Sequence, residues 1–415
     1  MFRRPRHRPG HRRRPPARRR SRSRADAVSQ QRGPLRPWRA ERLRRRRPRN
    51  RGTGQDHQKP HLNGETLSTR ETDRDAVIRV ARGATLFTPW ALRAAVTLGL
   101  PDLVADGVAD LADLARRSGA EVAALRRLVR YLVLLEVFRA PAADRVELGE
   151  LGAVLCSGHP AGLAQALDQR EAFARRGDEA IASLPEAVRT GKSVWAGLFG
   201  RGFWDDLAAD AVLGRSFDAA MAVHAATLGP EVARRYDWSG VRHVTDVGGG
   251  TGQVLAAVLA AHPGLTGTLV DLPGTVGVAD PVLRAAGVAD RVTVVGGSFF
   301  EPLPGGTDVC LLANILHDWP DEDAVTILRR CRAAVVAGGQ VVLVERVLDE
   351  VPAAGDDPGQ FVASQRDLAM LLLLDAAERT ETQFARLGRE AGLRPGGVVD
   401  LVPEQGLFLV CFDVG

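Results

Sequence analysis

Beyond residue 240 the chain alternates short β-branched runs with helical stretches, and the first join is a glycine-rich turn, "VTDVGGGTGQV" (Val244 to Val254). The runs are "RHVTDVG" (strand), "TGQVLAAVLAAHPG" (helix), "TGTLVDLP" (strand), "TVGVADPVLRAAG" (helix), "RVTVVGG" and "TDVCLLANIL" (strands), "EDAVTILRRCRAAVVAGG" (helix) and "QVVLVERVL" (strand). Such alternation forces right-handed βαβ crossovers and a parallel sheet with helices on both faces. Ligands of these sheets bind at the carboxyl ends of the strands. Two more helices follow, "FVASQRDLAMLLLLDAA" and "TETQFARLGREAG", and then the strands "GVVDLV" and "GLFLVCFDV". The "PEQ" link between those strands is so short that they must run antiparallel.

Residues 76–165 read as short Ala/Leu/Val-rich helices. "TPWALRAAVTLGLPDLVADG" is one helix stopped at Gly99 and Pro101, and "VADLADLARRSGAEVAALRRLVRYLVLLEVFRA" is two helices around a Ser-Gly turn. "RVELGELGAVL" then looks like a small hairpin wing, completing a winged-helix outline. The apolar face of "LVRYLVLLEVF" is too wide for an exposed recognition helix and suits burial against a partner. A dimerisation module is therefore the favoured reading over a winged-helix transcriptional regulator. Residues 166–240 form a helical connector carrying Trp195, Phe199, Phe203, Trp204, Phe217 and Met221. These side chains are ordinary core material singly, and together they can line a flat apolar pocket.

The net charge of +6 hides an uneven distribution. Residues 1–60 hold 23 Lys and Arg against three acids, a net of +20, which leaves −14 for the remainder. So basic and apolar-poor a segment cannot offset its ordering entropy, and residues 1–75 are expected to be disordered. With only two lysines among 56 basic residues, the segment reads as a non-native extension before it reads as a basic arm or a targeting segment. Nucleic-acid binding is expected, if at all, only through that tail. Cys156, Cys310, Cys331 and Cys411 form no CxxC pair, and the histidines show no metal-ligand spacing, so buried thiols in a reducing cytoplasm and no metal are expected. No uncharged apolar run reaches membrane-spanning length.

The glycine loop alone is a weak signal. Gly248, Gly250 and Gly252 alternate, but the sixth position of a dinucleotide fingerprint is Gln253. Asp246 ends the first strand and Asp271 ends the second, where an acid can accept hydrogen bonds from both ribose hydroxyls. A nicotinamide dinucleotide and an adenosyl cofactor fit equally at this point.

Over residues 80–415 the chain resembles the S-adenosylmethionine-dependent O-methyltransferases of the caffeate and aromatic-polyketide type. The motifs "DVGGGTG", "DLP", "GSFFEPLP", "LHDWPDEDA", "GGQVVLVE" and "ERTETQF" occur in order. The resemblance implies a Rossmann-like class I sheet at 241–415, parallel with one antiparallel strand, and a winged-helix-like dimerisation domain at 76–165 that makes a homodimer. It implies a cofactor site of Asp246, Gly248, Gly250, Asp271, Leu272, Ser298, Phe299, Ala313 and Trp319. Ser298 departs from the family's usual acid and is a weaker acceptor than a carboxylate. Trp204, Phe217, Met221 and Asn314 are expected against a small aromatic acceptor. His317 in "LHDWP" is implied as the catalytic base, flanked by Glu345 and Glu378.

A phenol of pKa near 10 is rarely ionised at neutral pH, and an imidazole of pKa near 6.5 is suited to take its proton. Asp318 reads as a helix cap. Some polyketide-tailoring relatives of this type lack the histidine or have shifted to hydroxylation. Retention of His317 points to methyl transfer, with a cofactor-retaining hydroxylase or decarboxylase as the alternative. The acceptor itself is not legible from the sequence.

Overall fold

The computed structural model describes residues 71–415 except Asp356. The Arg-rich segment up to residue 70, expected to be disordered, lies outside the described residues. The first helix, Glu71–Ala84, begins ahead of the domain boundary expected at residue 76.

Helices Phe87–Thr97, Leu100–Ala105, Leu111–Ser118 and Val122–Leu134 follow. The expected break falls at Gly99 and Pro101. Asp110 and Glu121 open the next two helices by accepting backbone N–H groups with their carboxylates, a cap worth about 1 kcal/mol. An antiparallel hairpin then pairs β1 (Phe138–Ala142) with β2 (Arg145–Leu148). The hairpin differs from the expected one: "RVEL" is its second strand, and "GELGAVL" turns into the helix Glu150–Ala153. Burial drives the choice, because Phe138 and Val146 both enter the core of this part.

Six helices connect to the sheet: Leu163–Leu167, Ala172–Ile181, Leu184–Thr190, Trp195–Phe199, Phe203–Ala209 and the long Ala211–Arg235. The sheet consists of β3 (His243–Val247), β4 (Thr266–Asp271), β5 (Val292–Gly296), β6 (Thr307–Ala313), β7 (Val335–Leu348), β8 (Arg379–Thr380), β9 (Arg394–Val402) and β10 (Leu407–Asp413). Its order is β5-β4-β3-β6-β7-β10-β9, with β8 beside the end of β7. Neighbours from β5 to β7 are parallel, and β10 runs antiparallel to both β7 and β9. The order reverses between β3 and β6, where such folds place their ligands.

Three local departures from the sequence reading have simple causes. "TVGVADPVLRAAG" splits into Pro273–Val276 and Asp280–Ala285, because Pro281 lacks an N–H and opens the second helix. Residues 335–339 join β7 rather than the preceding helix, Asp321–Ala334, since Val335 pairs with Thr307. The two residues of β8 are too few to show any period.

Strand alternation sorts the core into two layers. Val309, Leu311, Val342, Val344, Leu409 and Cys411 face the side covered by Ala211–Arg235 and the helix Gln253–Ala261. Cys310, Leu312, Val341, Leu343, Val410 and Phe412 face Asp321–Ala334 and the helix Glu381–Glu390. Each fully buried Leu or Val contributes roughly 1.5–3 kcal/mol. All four cysteines are free thiols, and Cys310, Cys331 and Cys411 are buried. Among the described residues no helix is long and apolar enough to cross a membrane.

Gly388 lets the helix Glu381–Glu390 press against β10: a Cβ there would stand 2.2 Å from Phe412 Cε1 in a fully buried ring. Gly388→Ala is expected to lower unfolding free energy by about 1–3 kcal/mol in urea titrations, the usual cost of overpacking. An unchanged midpoint would mean that the helix can move off the sheet without loss.

Candidate active site

Three strand ends converge on the glycine turn. Gly248 leaves β3 at φ 70, and a Cβ there would lie 2.5 Å from Ile315 Cδ1, beyond β6, and 3.4 Å from Phe299 Cε1, beyond β5. Only glycine meets both demands. Asp271 closes β4, where its Oδ2 accepts from Gly250 N at 2.8 Å and its Oδ1 from Leu272 N at 2.6 Å. Burial raises its pKa, and the two N–H groups oppose that rise. Leu272 lies exposed beside it. Asp246 is placed differently, beneath Gly249 with 0% exposure and no partner for either oxygen. Burial, and then the neighbouring Asp271, push its pKa up to about 7.

An aromatic wall continues from the turn. Trp319 meets Phe299 and Phe300 edge-on, at centroid distances of 5.8 and 4.8 Å. Ser298 Oγ accepts from Phe300 N at 3.2 Å, so the hydroxyl helps shape this bend. Trp319 also stacks on Trp204, with centroids 5.9 Å apart and an 8° interplanar angle, and Trp204 meets Phe217 edge-on at 5.9 Å. The residues expected at the cofactor and those expected at the acceptor thus touch. Met221, one turn beyond Phe217 on the same helix, is exposed. Ala313 ends β6, and Asn314 follows with a left-handed φ of 54.

His317 sits in a single 3-10 turn, Leu316–Asp318, between β6 and the helix Asp321–Ala334. Two buried side chains hold that turn. Glu345 of β7 uses Oε1 to accept from Ile315 N at 3.0 Å and Leu316 N at 2.7 Å. Arg379 of β8 donates to Leu316 O and Trp319 O, each at 2.7 Å, and to Asp321 Oδ1 at 3.0 Å. The imidazole Nδ1 is 3.0 Å from Glu378 Oε1 and 3.6 Å from Glu345 Oε2, while Nε2 is 3.4 Å from Asp318 Oδ1.

Burial opposes charge on this imidazole, but Glu378, Asp318 and Glu345 outweigh it and hold the pKa at about 10. The shift runs upward from the ordinary imidazole value near 6.5, the direction that flanking acids impose. Asp318 is no helix cap; Pro320 precedes the next helix, with no side-chain cap. Burial first, offset by His317, leaves Asp318 at about 7, and burial also raises Glu345. Donor atoms of His317, Glu345 and Glu378 lie within 4.8 Å of one another, close enough to share a cation. Positions 317, 345 and 378 gave no sign of this in linear spacing.

The sequence reading gave Asp318 only as a cap and missed Arg379, Arg346, Asp367 and His224. Arg346 Nη1 donates to Asn314 Oδ1 at 3.3 Å and lies 4.0 Å from Glu378 Oε1. Asp367 Oδ1 accepts from Glu378 N at 3.0 Å. Adjacency to Glu345 was the one available signal for Arg346. A cavity of about 240 Å³ between Ala211–Arg235 and the β9–β10 connection includes His224 but none of the glycine-turn or carboxylate residues.

Comparison with known proteins places this geometry. A family model described as an O-methyltransferase domain matches residues 181–394, and one described as an O-methyltransferase dimerisation domain matches residues 84–158. The chain belongs to the O-methyltransferase family. Aclacinomycin 10-hydroxylase RdmB from Streptomyces purpurascens is 42% identical over 80% of this chain and 87% of its own. The 2,7-dihydroxy-5-methyl-1-naphthoate 7-O-methyltransferase of Streptomyces carzinostaticus is 39% identical over 77% and 93% respectively. The solved structure of NcsB1, an O-methyltransferase from neocarzinostatin biosynthesis, in complex with S-adenosylmethionine and 2-hydroxy-5-methyl naphthoic acid, is 35% identical, with a TM-score of 0.69 over 80% of this chain and 98% of that one.

The family's cofactor is S-adenosylmethionine, and the residues here fit it. The turn admits no side chain at Gly248, and Asp271 keeps lone pairs after binding two backbone N–H groups. Phe299 and Trp319 form an aromatic wall beside them.

Asp246 yields a stability prediction for this O-methyltransferase fold. A carboxyl whose folded pKa is raised binds its proton more tightly when folded, so stability falls as pH rises from the unfolded value near 3.9 to about 7. Asp246→Asn is expected to flatten that fall in denaturant melts compared at pH 5 and pH 8. Parallel losses in both proteins would show that the buried carboxyl is compensated by a neighbour.

Proposed function

We propose that this chain transfers a methyl group from S-adenosylmethionine to a phenolic hydroxyl of a small aromatic natural product, with His317 receiving the hydroxyl proton. The observation that carries the reading is the cage of Glu378, Glu345 and Asp318 around His317 at the ligand edge of the sheet. Relatives named for naphthoate, mitomycin and phenazine O-methylation support the choice of acceptor class. Gly248, Gly250, Asp271, Leu272, Ser298, Phe299, Ala313 and Trp319 would hold the cofactor in the 241–415 domain, with Asp246 bracing the turn from below. Trp204, Phe217, Met221 and Asn314 would line the acceptor side.

The chain works as a homodimer on this reading. Val80 and Phe87 in the first two helices and Leu86 in the bend between them are 71%, 80% and 71% exposed, an apolar surface suited to a second copy.

When bound, S-adenosylmethionine supplies an electrophilic methyl on a cationic sulfonium, and its sulfur keeps the electron pair as the methyl bonds to the acceptor oxygen. The protein's part is positioning and proton management. Glu378 occupies Nδ1 of His317, so the acceptor hydroxyl would meet Nε2, where Asp318 Oδ1 lies 3.4 Å away and shares the proton. With a pKa of about 10 the resting ring is protonated at neutral pH. The reactive state has one proton fewer, shared between imidazole and phenol. Because a phenol also titrates near 10, moving that proton between them costs little. Trp204 and Phe217 exclude water beside the reacting oxygen and orient the ring, which supplies much of the rate.

His317→Gln is expected to bind S-adenosylmethionine normally while kcat on a phenolic acceptor falls roughly 10²- to 10⁴-fold. The wild-type kcat/KM should rise with pH across the neutral range. Asp318→Asn removes a negative charge beside Nε2, lowers the imidazolium pKa and so moves the rising limb to lower pH. An unmoved limb would remove Asp318 from the proton balance. Mass spectrometry of the product separates methyl transfer from hydroxylation, since one adds CH2 and the other an oxygen atom.

A further inference from the structure

We propose that Trp204 couples the two subsites, so that the cofactor and a flat aromatic acceptor each tighten the other's binding. This rests on the division into cofactor and acceptor sides proposed above and adds a positioning residue that joins them. The helical connector and the cofactor wall meet face to face at one indole pair, Trp204 and Trp319, with centroids 5.9 Å apart and an interplanar angle of 8°. On the cofactor side Trp319 rests edge-on against Phe299 and Phe300. Phe299 is the ring whose Cε1 would stand 3.4 Å from a Cβ on Gly248. On the acceptor side Trp204 meets Phe203 at 5.0 Å and Phe217 at 5.9 Å, and Phe217 meets Phe173 at 5.1 Å, all edge-on. A continuous series of ring contacts thus runs from the glycine turn to the helix Ala211–Arg235.

The mounts of the two indoles are fixed, whereas the rings themselves are not pinned. Trp319 N donates to Leu316 O at 3.2 Å, and Trp319 O accepts from Arg379 Nη2 at 2.7 Å. The helix Phe203–Ala209 is held through Asp206, which accepts from Trp195 Nε1 at 3.0 Å and pairs with Arg176. Trp195 and Trp238 anchor their rings by donating from Nε1, at 3.0 and 3.4 Å. Trp204 and Trp319 are both half-buried, and neither uses its Nε1 in a hydrogen bond among the described residues. Ring contacts therefore set the planes of these two side chains.

Stacked and edge-on contacts are individually weak and tolerant of sliding, so each indole keeps freedom that a ligand must remove on binding. A cofactor lodged against Phe299 and Trp319 fixes the plane of Trp319. That plane in turn fixes Trp204, whose ring lies parallel to it. An acceptor then meets an ordered face and loses less freedom in reaching it. The converse holds as well, because coupling between two binding sites is reciprocal and can act through ordering alone.

The test uses calorimetry on the full chain to measure 1-naphthol binding with and without saturating S-adenosylhomocysteine, and S-adenosylhomocysteine binding with and without 1-naphthol. In the wild type each ligand is expected to tighten the other by about tenfold, with the same factor in both directions. Trp204→Leu is expected to bring that factor close to one, with retained S-adenosylhomocysteine affinity reporting an intact fold. Trp204→Phe keeps a smaller ring, is expected to give an intermediate factor, and carries the test should the first variant not fold. The factor is the readout, because losing a plain contact lowers the affinity for 1-naphthol without changing the factor. A wild-type factor near one, no binding of 1-naphthol, or an unchanged factor in either variant would overturn the proposal. Its failure is separable from that of the proposed function: methyl transfer to phenols with a factor near one sinks only the coupling, whereas coupled binding without methyl transfer to any phenol sinks only the transferase reading.

Discussion

The arrangement at the sheet edge depends on one fully buried carboxylate, Glu345. One of its oxygens holds the backbone of the turn that carries His317, and the other lies 3.6 Å from the imidazole. The side chain has 0% exposure, so it has no recourse to water. Removing it would leave two backbone donors without their acceptor, each loss costing about 1–3 kcal/mol. The antiparallel insertion of β10 closes the other side of β7 and pairs Phe408 with Glu345 across the strands. A parallel sheet ending at β7 would leave that strand as an exposed edge, a poor platform for a buried charge.

The same cage decides the acid–base behaviour. Three carboxylates around a buried imidazole stabilise its cation, so the ring is a strong base that rests in its protonated form. Strength and availability trade against each other at a fixed pH. A ring left near 6.5 would be free more often at neutral pH but would hold a phenolic proton far less tightly. Here the match falls on the phenol side, and the raised Asp318 and Glu345 carboxyls can take up proton density within the same cluster. Such shared titration belongs to the cluster, not to any one residue.

Much of this was legible in the residues. The continuous apolar runs of β6 and β7, buried on both faces, the helix breaks at Pro101 and Gly119, and the glycine turn all follow from local chemistry, as does the antiparallel end signalled by "PEQ". His317, Glu345 and Glu378 were legible through ordered motifs, and they converge in space. What failed to show depends on distance across the fold. Asp318 looked like a cap because an acid before "DEDAV" normally serves one, whereas its neighbour's imidazole captures it first. Nothing in "AERT" marks Arg379 as buried, yet β8 turns it under the His317 loop. The size of the His317 shift was unreadable because Glu345 and Glu378 reach the ring from distant segments and add to the adjacent Asp318.

Membership in the family does not by itself fix the reaction, since a relative with 42% identity is named as a hydroxylase and another with 39% as an O-methyltransferase. The cofactor side cannot discriminate, because a glycine turn and an acid at the end of β4 serve any chemistry that uses the same molecule. Discrimination must lie where a proton or a charge on the acceptor is handled. Methyl transfer to oxygen leaves the acceptor hydroxyl with a proton to shed, and a base close to that oxygen supplies what the reaction lacks. The chain keeps two buried glutamates and an aspartate around one imidazole, a costly arrangement in a sheet that is otherwise Val and Leu. Holding the backbone of the turn accounts for Glu345, whereas the carboxylates of Glu378 and Asp318 are directed to the imidazole. The cluster's place at the ligand edge fits the proton handling proposed above, which favours the transferase over a chemistry in which the acceptor hydroxyl keeps its proton.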